Sequence, residues 1–271
     1  MNITFIGGGN MASALIGGLL NNGFAAEQLQ VIDVSADART RVERTFGVGV
    51  HATPGEAVAA AGCIVLAVKP QQMRDTARAL QPLISSQLVI TIAAGIRLRD
   101  LARWLGGHTR LVRAMPNTPA LVASGLSALF AASGASANDK ALAERVLGAA
   151  GTTLWLASEE QMDAVTAISG SGPAYVFYFI EALEQAACEL GFDAGSARRL
   201  ALETFAGAVR LAQHSEDDAA TLRARVTSKG GTTERALGCM EADGVRQSIV
   251  RALHAAAERS RELGEELGRT D

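Results

Sequence analysis

The chain has 271 residues, of which 48% are hydrophobic and 4% aromatic, enough for one large or two ordinary domains with a sizeable core. Its net charge of −3, with no basic stripe or charge run, gives no electrostatic case for a nucleic-acid partner. Three scattered cysteines, Cys63, Cys188 and Cys239, contain no CxxC; they offer neither a disulfide framework nor a zinc site, and they suit a reducing compartment.

The chain opens on a strand, without the basic segment and cleavage site of a signal peptide. No apolar run is long enough to span a bilayer. A soluble cytoplasmic protein is the expectation. Ile3, Phe5 and their apolar neighbours form that first buried strand. Gly7-x-Gly9-x-x-Ala12 follows at once, and residues 11–20 read as a helix. Gly7 permits a tight turn, Gly9 lets a pyrophosphate approach the backbone, and Ala12 lets the helix sit close to the sheet. Free N–H groups at the helix start favour phosphate. This pattern predicts dinucleotide binding; a plain strand-to-helix turn is the bland alternative.

Residues 29–34 read as a second strand with Asp33 near its end, 21 residues beyond Ala12. A dinucleotide site usually carries an acid there for the adenosine ribose hydroxyls. Ser35 and Arg39 could instead hold a 2′-phosphate. Asp33 thus argues for NADH and the Ser35/Arg39 pair for NADPH, while either Asp33 or Ser35 could simply cap a helix over 37–46. Residues 63–68 form a continuous apolar run that fits a strand covered on both faces. Lys69-Pro70 ends it, since proline cannot continue a ladder but can open a helix. Another strand is predicted over 87–92, followed by the small turn Ala93, Ala94, Gly95, and a further one over 110–115, ending in Pro116-Asn117-Thr118-Pro119. This alternation implies a parallel sheet with helices on both faces. Ligands of such sheets bind at the carboxyl edge, where the turns 67–70 and 93–95 fall. Strands over 125–131 and 152–155, separated by a helix over 138–149, extend the sheet.

From about residue 158 only helices are predicted, so the division is placed at 157: an α/β domain over 1–157 and an all-α domain over 158–271. A helix over 163–168 leads into Ser169-Gly-Ser-Gly-Pro173, and Pro173 opens the next helix. Its first turns, AYVFYFI, are apolar on every side and need burial by something outside this half of the chain. A second subunit is the predicted cover. Helices follow over 194–214, 219–226, 234–240 and 246–267. Between two of them lies Thr227-Ser228-Lys229-Gly230-Gly231-Thr232-Thr233. Adjacent N–H groups at a helix start make a carboxylate cradle, to which the Ser228, Thr232 and Thr233 hydroxyls could add. An ordinary N-cap after a glycine break fits equally well.

FIGGGNMASAL, AVKPQ, IAAG, MPNTPALV, DAVTAISGSGPAY and VTSKGGTTERAL stand in this order in the chain. Together they resemble the pyrroline-5-carboxylate reductases, nearly end to end. The resemblance implies an N-terminal Rossmann domain, a C-terminal helical dimerisation domain and NADPH- or NADH-dependent reduction of 1-pyrroline-5-carboxylate to L-proline, closing proline biosynthesis. It also implies a homodimer, with dimers commonly assembled into decamers. Carried over by motif, it places the pyrophosphate on Ile6, Gly7, Gly8, Gly9, Asn10 and Met11, and the adenosine ribose or its phosphate near Ser35. Ala67, Val68, Lys69 and Pro70 would line the nucleotide, as would Ala93, Ala94 and Gly95. The substrate carboxylate would lie on Gly231, Thr232 and Thr233, with the Thr233 hydroxyl facing the ring nitrogen. Glu216 matches a position near the substrate, reached from the partner subunit.

Two positions depart from the resemblance. Lys229 replaces the usual proline of VTSPGGTT; it either adds charge near the carboxylate or points to solvent, the preferred reading. Asp33 stands where NADPH-preferring relatives carry a neutral or basic residue, so NADH use is expected to rise. The scarcity of acids and bases suits an iminium carbon that accepts hydride once it is oriented. The four histidines form no HExxH or close cluster, so no metal is expected. A β-hydroxyacid-type dehydrogenase would need a lysine on the helix after Pro173, and none is there. A non-catalytic NAD(P)H-binding sensor is the rival from another class.

Overall fold

The computed structural model describes residues 1–269. Residues 270 and 271, the last two assigned to the helical domain, lie outside the described residues.

Eight strands form one sheet in the order β3-β2-β1-β4-β5-β6-β7-β8. They are β1 (Ile3–Ile6), β2 (Leu29–Ile32), β3 (Gly49–His51), β4 (Cys63–Leu66), β5 (Leu88–Thr91), β6 (Leu111–Met115), β7 (Gly125–Ala131) and β8 (Gly151–Trp155). All pairings are parallel except β6 with β7. The strands β1, β2, β4 and β5 are short and largely apolar because both of their faces are covered. Ile3, Phe5, Val31, Val65 and Ile90 point into one core and Ile32, Ile64, Leu66 and Val89 into the other. Thr4, fully buried among them, is satisfied by donating to the Ala57 carbonyl at 2.6 Å.

The first core is closed by α1 (Asn10–Asn21), α2 (Ala36–Phe46) and later α6 (Ala137–Gly148); the second by α3 (Glu56–Ala59), α4 (Met73–Leu80) and α5 (Leu98–Trp104). This is the two-faced Rossmann-like layering that the alternation implies. The short β3 and α3 escape sequence reading: three and four residues give no period to count.

At the start of α6, Asp139 serves twice. It accepts from the Ser136 N–H at 2.9 Å in a reciprocal cap, and its carboxylate meets Arg110 at 2.6 and 3.2 Å. The hydrogen bond from Arg110, aided by Ser136, holds the Asp139 carboxyl down to about 2. A carboxylate lowered on folding contributes stability above its unfolded value of about 3.9, and loses it as pH falls towards 2. Asp139→Ala should therefore cost about 2 kcal/mol at neutral pH. Thermal melts should show its gap to wild type narrowing between pH 4 and 2; a gap constant over that range would contradict the pairing.

The remaining helices are α7 (Gln161–Val165), α8 (Gly172–Glu189), α9 (Ala194–Gln213), α10 (Ala219–Arg225), α11 (Thr232–Ala242) and α12 (Val245–Arg269). The stretch read as a helix over 163–168 is α7 running into one π-turn, Thr166–Gly170, closed by Ser171 N–H donating to Thr166 O at 2.8 Å. Asn117 braces that turn, donating to Ser169 Oγ at 3.1 Å while accepting the Leu126 N–H at 2.9 Å. The helix α8 accordingly begins at Gly172, one residue before Pro173.

The character of the chain changes near residue 157, after β8, but packing divides it elsewhere. One compact unit comprises residues 1–171 together with the end of α12 from Ala255; the other comprises residues 172–254. The end of α12 joins the first unit through side chains that sequence pattern does not reveal, among them Ser260, whose hydroxyl donates to Asp163 at 2.7 Å. No helix among the described residues is long and apolar enough to cross a membrane.

Candidate active site

The order of the sheet reverses between β1 and β4, and a cleft of about 560 Å³ opens at the carboxyl ends of these strands. That is where an open α/β sheet holds its ligands. Ile6, Gly7, Gly9, Asp33, Ala67, Val68 and Lys69, all expected site residues, line it together.

Local geometry explains the glycines. Gly7 adopts φ +101°, and a Cβ there would stand 2.7 Å from the Ala67 carbonyl oxygen. The turns after β1 and β4 therefore touch through a residue that must lack a side chain. A Cβ on Gly9 would meet nothing within 4 Å, so its face is open to a ligand. Gly9 is also the N-cap of α1 and supplies no side-chain acceptor. Asn10 and Met11 begin that helix, and its first-turn N–H groups stay available to an anion. An open face, a bare helix start and a switch-point cleft fit a dinucleotide pyrophosphate.

Asp33 does more than its spacing suggests. One carboxylate oxygen accepts the Gly8 N–H at 2.7 Å and the other the Ser35 N–H at 2.8 Å. The acid thus ties the glycine turn to the end of β2. Ser35 caps α2 by accepting the Ala38 N–H at 3.3 Å. The cap of α2 is therefore Ser35 and not Asp33. Both nearby arginines already donate to backbone carbonyls: Arg39 to Asp33 O at 2.7 Å and Val34 O at 3.1 Å, and Arg41 to Gly8 O at 2.9 Å. Of the charged residues lining the cleft, Asp33 and Asp75 are acidic and Lys69 basic.

Several lining residues escaped sequence reading. Ala52 and Pro54 follow the unread β3; Gln72, Asp75, Thr76 and Ala79 lie on α4 or the turn before it, at helical spacing that an apolar-only scan passes over. Pro70 opens that turn, Pro70–Gln72. The turn of Ala93, Ala94 and Gly95 follows β5, next to β4 on the same sheet edge, and does not line this cleft.

In the second unit, Gly231 caps α11 without a side-chain acceptor, and Thr232 and Thr233 are its first residues. Glu234 accepts the Gly230 N–H at 2.6 Å and closes the turn from inside the helix. The sequence signal for Glu234 was its place three residues after the cap, a capping-box position. Thr233 is half-buried, whereas Ser228 and Lys229 are exposed. Glu216 is exposed on the turn between α9 and α10, beside Asp217, which is ion-paired with Arg225. On α8, Phe177 and Tyr178 are 64% and 70% exposed, and none of its residues is buried.

The family described as pyrroline-5-carboxylate reductase dimerisation matches residues 159–263, and that described as NADP oxidoreductase, coenzyme F420-dependent, matches residues 2–95. A curated pyrroline-5-carboxylate reductase of Pseudomonas aeruginosa is 46% identical over 267 residues, covering 98% of each chain. The solved pyrroline-5-carboxylate reductase of Coxiella burnetii superposes with a TM-score of 0.91 at 40% identity, covering 97% of this chain and 98% of that one. A pyrroline carboxylate reductase of Plasmodium falciparum, solved with NADP bound, gives 0.88 at 29% identity over the same shares. A prephenate dehydrogenase of Aquifex aeolicus, at 15% identity and a TM-score of 0.55, shares the fold alone.

Proposed function

The chain belongs to the pyrroline-5-carboxylate reductase family, and from that premise we propose which of its residues carry the reaction and where its partners bind. The reaction itself is reduction of 1-pyrroline-5-carboxylate to L-proline, the last step of proline biosynthesis, with NADPH or NADH as reductant. The hydride adds to the imine carbon, the C=N π bond breaks, and the nitrogen keeps a proton as the ring amine.

A reduced nicotinamide nucleotide supplies that hydride. The residues to hold it are Gly7, Gly8 and Gly9, with the N–H groups of Asn10 and Met11 at the pyrophosphate, Asp33 and Ser35 at the adenosine ribose, and Ala67, Val68, Lys69 and Pro70 along the cleft. The open face of Gly9 above the bare start of α1 is the observation that carries this assignment. Ala93, Ala94 and Gly95, outside the cleft but on the same sheet edge, contact the nucleotide beyond it. In the helical unit the carboxylate of the substrate rests on the first N–H groups of α11, at Gly231, Thr232 and Thr233, with Ser228 beside them. The Thr233 hydroxyl holds the ring nitrogen. Glu216 serves the same substrate from the partner subunit. With carboxylate and nitrogen both fixed, the ring presents one carbon, and catalysis is by orientation.

The exposed Phe177 and Tyr178 of α8 are covered by a second copy of the chain, the role that the dimerisation family describes. We extend this reading to dimers assembled into a decamer, in the cytoplasm. The free thiols of Cys63, Cys188 and Cys239 support a reducing compartment. The helix α8 carries no lysine, against a β-hydroxyacid-type mechanism. A nucleotide sensor would bind NADH and show no turnover with the imine.

The cofactor assay tests the nucleotide assignment. In this reading the Asp33 carboxylate faces the adenosine ribose, while Arg39 and Arg41 donate to backbone carbonyls. A 2′-phosphate there meets the like charge of Asp33 and two guanidinium groups already held on carbonyls. Following loss of reduced-nicotinamide absorbance with 1-pyrroline-5-carboxylate, kcat/KM with NADH should stand within about a hundredfold of that with NADPH, or ~2.7 kcal/mol. A larger NADPH preference would show that Asp33 does not face the ribose.

A further inference from the structure

Gly95 adopts φ +74°, a backbone conformation that disfavours any side chain, and what covers it is the last helix. A Cβ on Gly95 would stand 3.1 Å from Leu267 Cδ1 and 3.6 Å from the Gly264 nitrogen. Conversely, a Cβ on Gly264 would stand 3.1 Å from Arg97 Nε and 3.3 Å from the Gly95 carbonyl oxygen. Two glycines from distant parts of the chain therefore bring backbone against backbone. Polar contacts fix the same approach: Arg97 Nη2 donates to Arg261 O at 3.3 Å, and Arg103 Nη2 to Gly268 O at 2.7 Å. The far side of the turn is held as well, by Ala93 N–H on Thr91 Oγ1 at 3.3 Å and by Leu98 N–H on Glu159 at 2.8 Å.

We propose that the C-terminal half of α12 sets the position of the turn 93–95, which makes Gly264 a positioning residue for nucleotide binding. The inference rests on the reading above that Ala93, Ala94 and Gly95 line the nicotinamide nucleotide. The turn follows a strand end, where a connection left to itself is mobile. Here α12 supplies a rigid wall behind it. A side chain at Gly264 pushes on the Gly95 carbonyl and on Arg97, and so moves the turn.

The test compares three variants of the full-length enzyme. Gly264→Val should raise the Kd and KM for NADH and NADPH about tenfold, while kcat at saturating nucleotide stays close to wild type. Ser260→Ala removes the bond to Asp163 that anchors the same helix away from the turn. It should lower Tm with nucleotide Kd unchanged. Ala94→Leu places bulk in the turn itself and should weaken nucleotide binding directly. Should Gly264→Val yield no folded protein, Gly264→Ala makes the same comparison with a smaller displacement.

Weakened binding in the Gly264 variant, with Ser260→Ala unaffected, supports the proposal. Equal losses of affinity in both, in proportion to Tm, would reduce α12 to a stabilising helix and overturn it. Weakened binding in Ala94→Leu with none in either Gly264 variant overturns the positioning role alone. Normal binding in Ala94→Leu removes the turn from the nucleotide site, and the inference falls with that reading.

Discussion

Gly7→Val should raise the Kd for NADH and NADPH at least about a hundredfold, the largest effect expected of any single substitution in the first unit. Two independent constraints meet at this position. The φ of +101° is one that a β-branched residue adopts only under strain, at about 1–3 kcal/mol. The added Cβ would also stand 2.7 Å from the Ala67 carbonyl oxygen, which is backbone and has no rotamer to yield with. Either the turn after β1 or the end of β4 must move, and both line the cleft. Gly107 separates the two costs. It adopts φ +89°, and a Cβ added there would meet nothing within 4 Å. Gly107→Val should therefore lower Tm and leave nucleotide binding alone. Titration of both variants with NADH decides the matter: equal affinities would show that the contact between the two turns is unrelated to the nucleotide.

Thr233→Ala should lower kcat/KM for 1-pyrroline-5-carboxylate about a hundredfold, as loss of one positioned donor at a reacting centre does. Its nucleotide Kd should not change. The hydroxyl sits in the first turn of α11, where the cap Gly231 brings no side chain of its own. On the proposed assignment the N–H groups would hold the carboxylate with or without it, and what disappears is the group proposed to orient the ring nitrogen. Thr233→Ser keeps the hydroxyl and should recover most of the rate. Full activity in Thr233→Ala would remove the residue from the reaction. Stability is a weak confounder, since the helix start is closed by Glu234 on Gly230, independently of this side chain.

The nucleotide-binding half was legible because its signals are local. A strand with three apolar residues, Ile3, Phe5 and Ile6, a glycine turn and a helix start lie within the first twelve positions, and each is read from its neighbours. The apolar run 63–68 announced itself as a covered strand with Lys69-Pro70 as its stop, and the strand occupies Cys63–Leu66 of it. Pairing direction is less local. The strand β7 runs antiparallel to β6, and its own residues carry no mark of it. The cause lies in the connection over 116–124, too short to hold a crossover helix.

Long-range features were not legible at all. The return of α12 to the first unit depends on Gly264 meeting Gly95 and on Ser260 meeting Asp163, pairs with no signature along the chain. Asp33 shows both limits at once. Its spacing placed it near the ribose, but nothing in the sequence shows its carboxylate already accepting from Gly8 and Ser35. On α8, the all-round apolar turns did predict an uncovered surface, and Phe177 and Tyr178 are exposed there.

A crystal structure of the enzyme with NADP⁺ and a non-reducible proline analogue tests the central assignment most directly. The account predicts the pyrophosphate at the start of α1, above Gly9, and the analogue's carboxylate on the first N–H groups of α11, with the Thr233 hydroxyl at the ring nitrogen. A carboxylate bound away from the start of α11, in every subunit of the crystal, would contradict it.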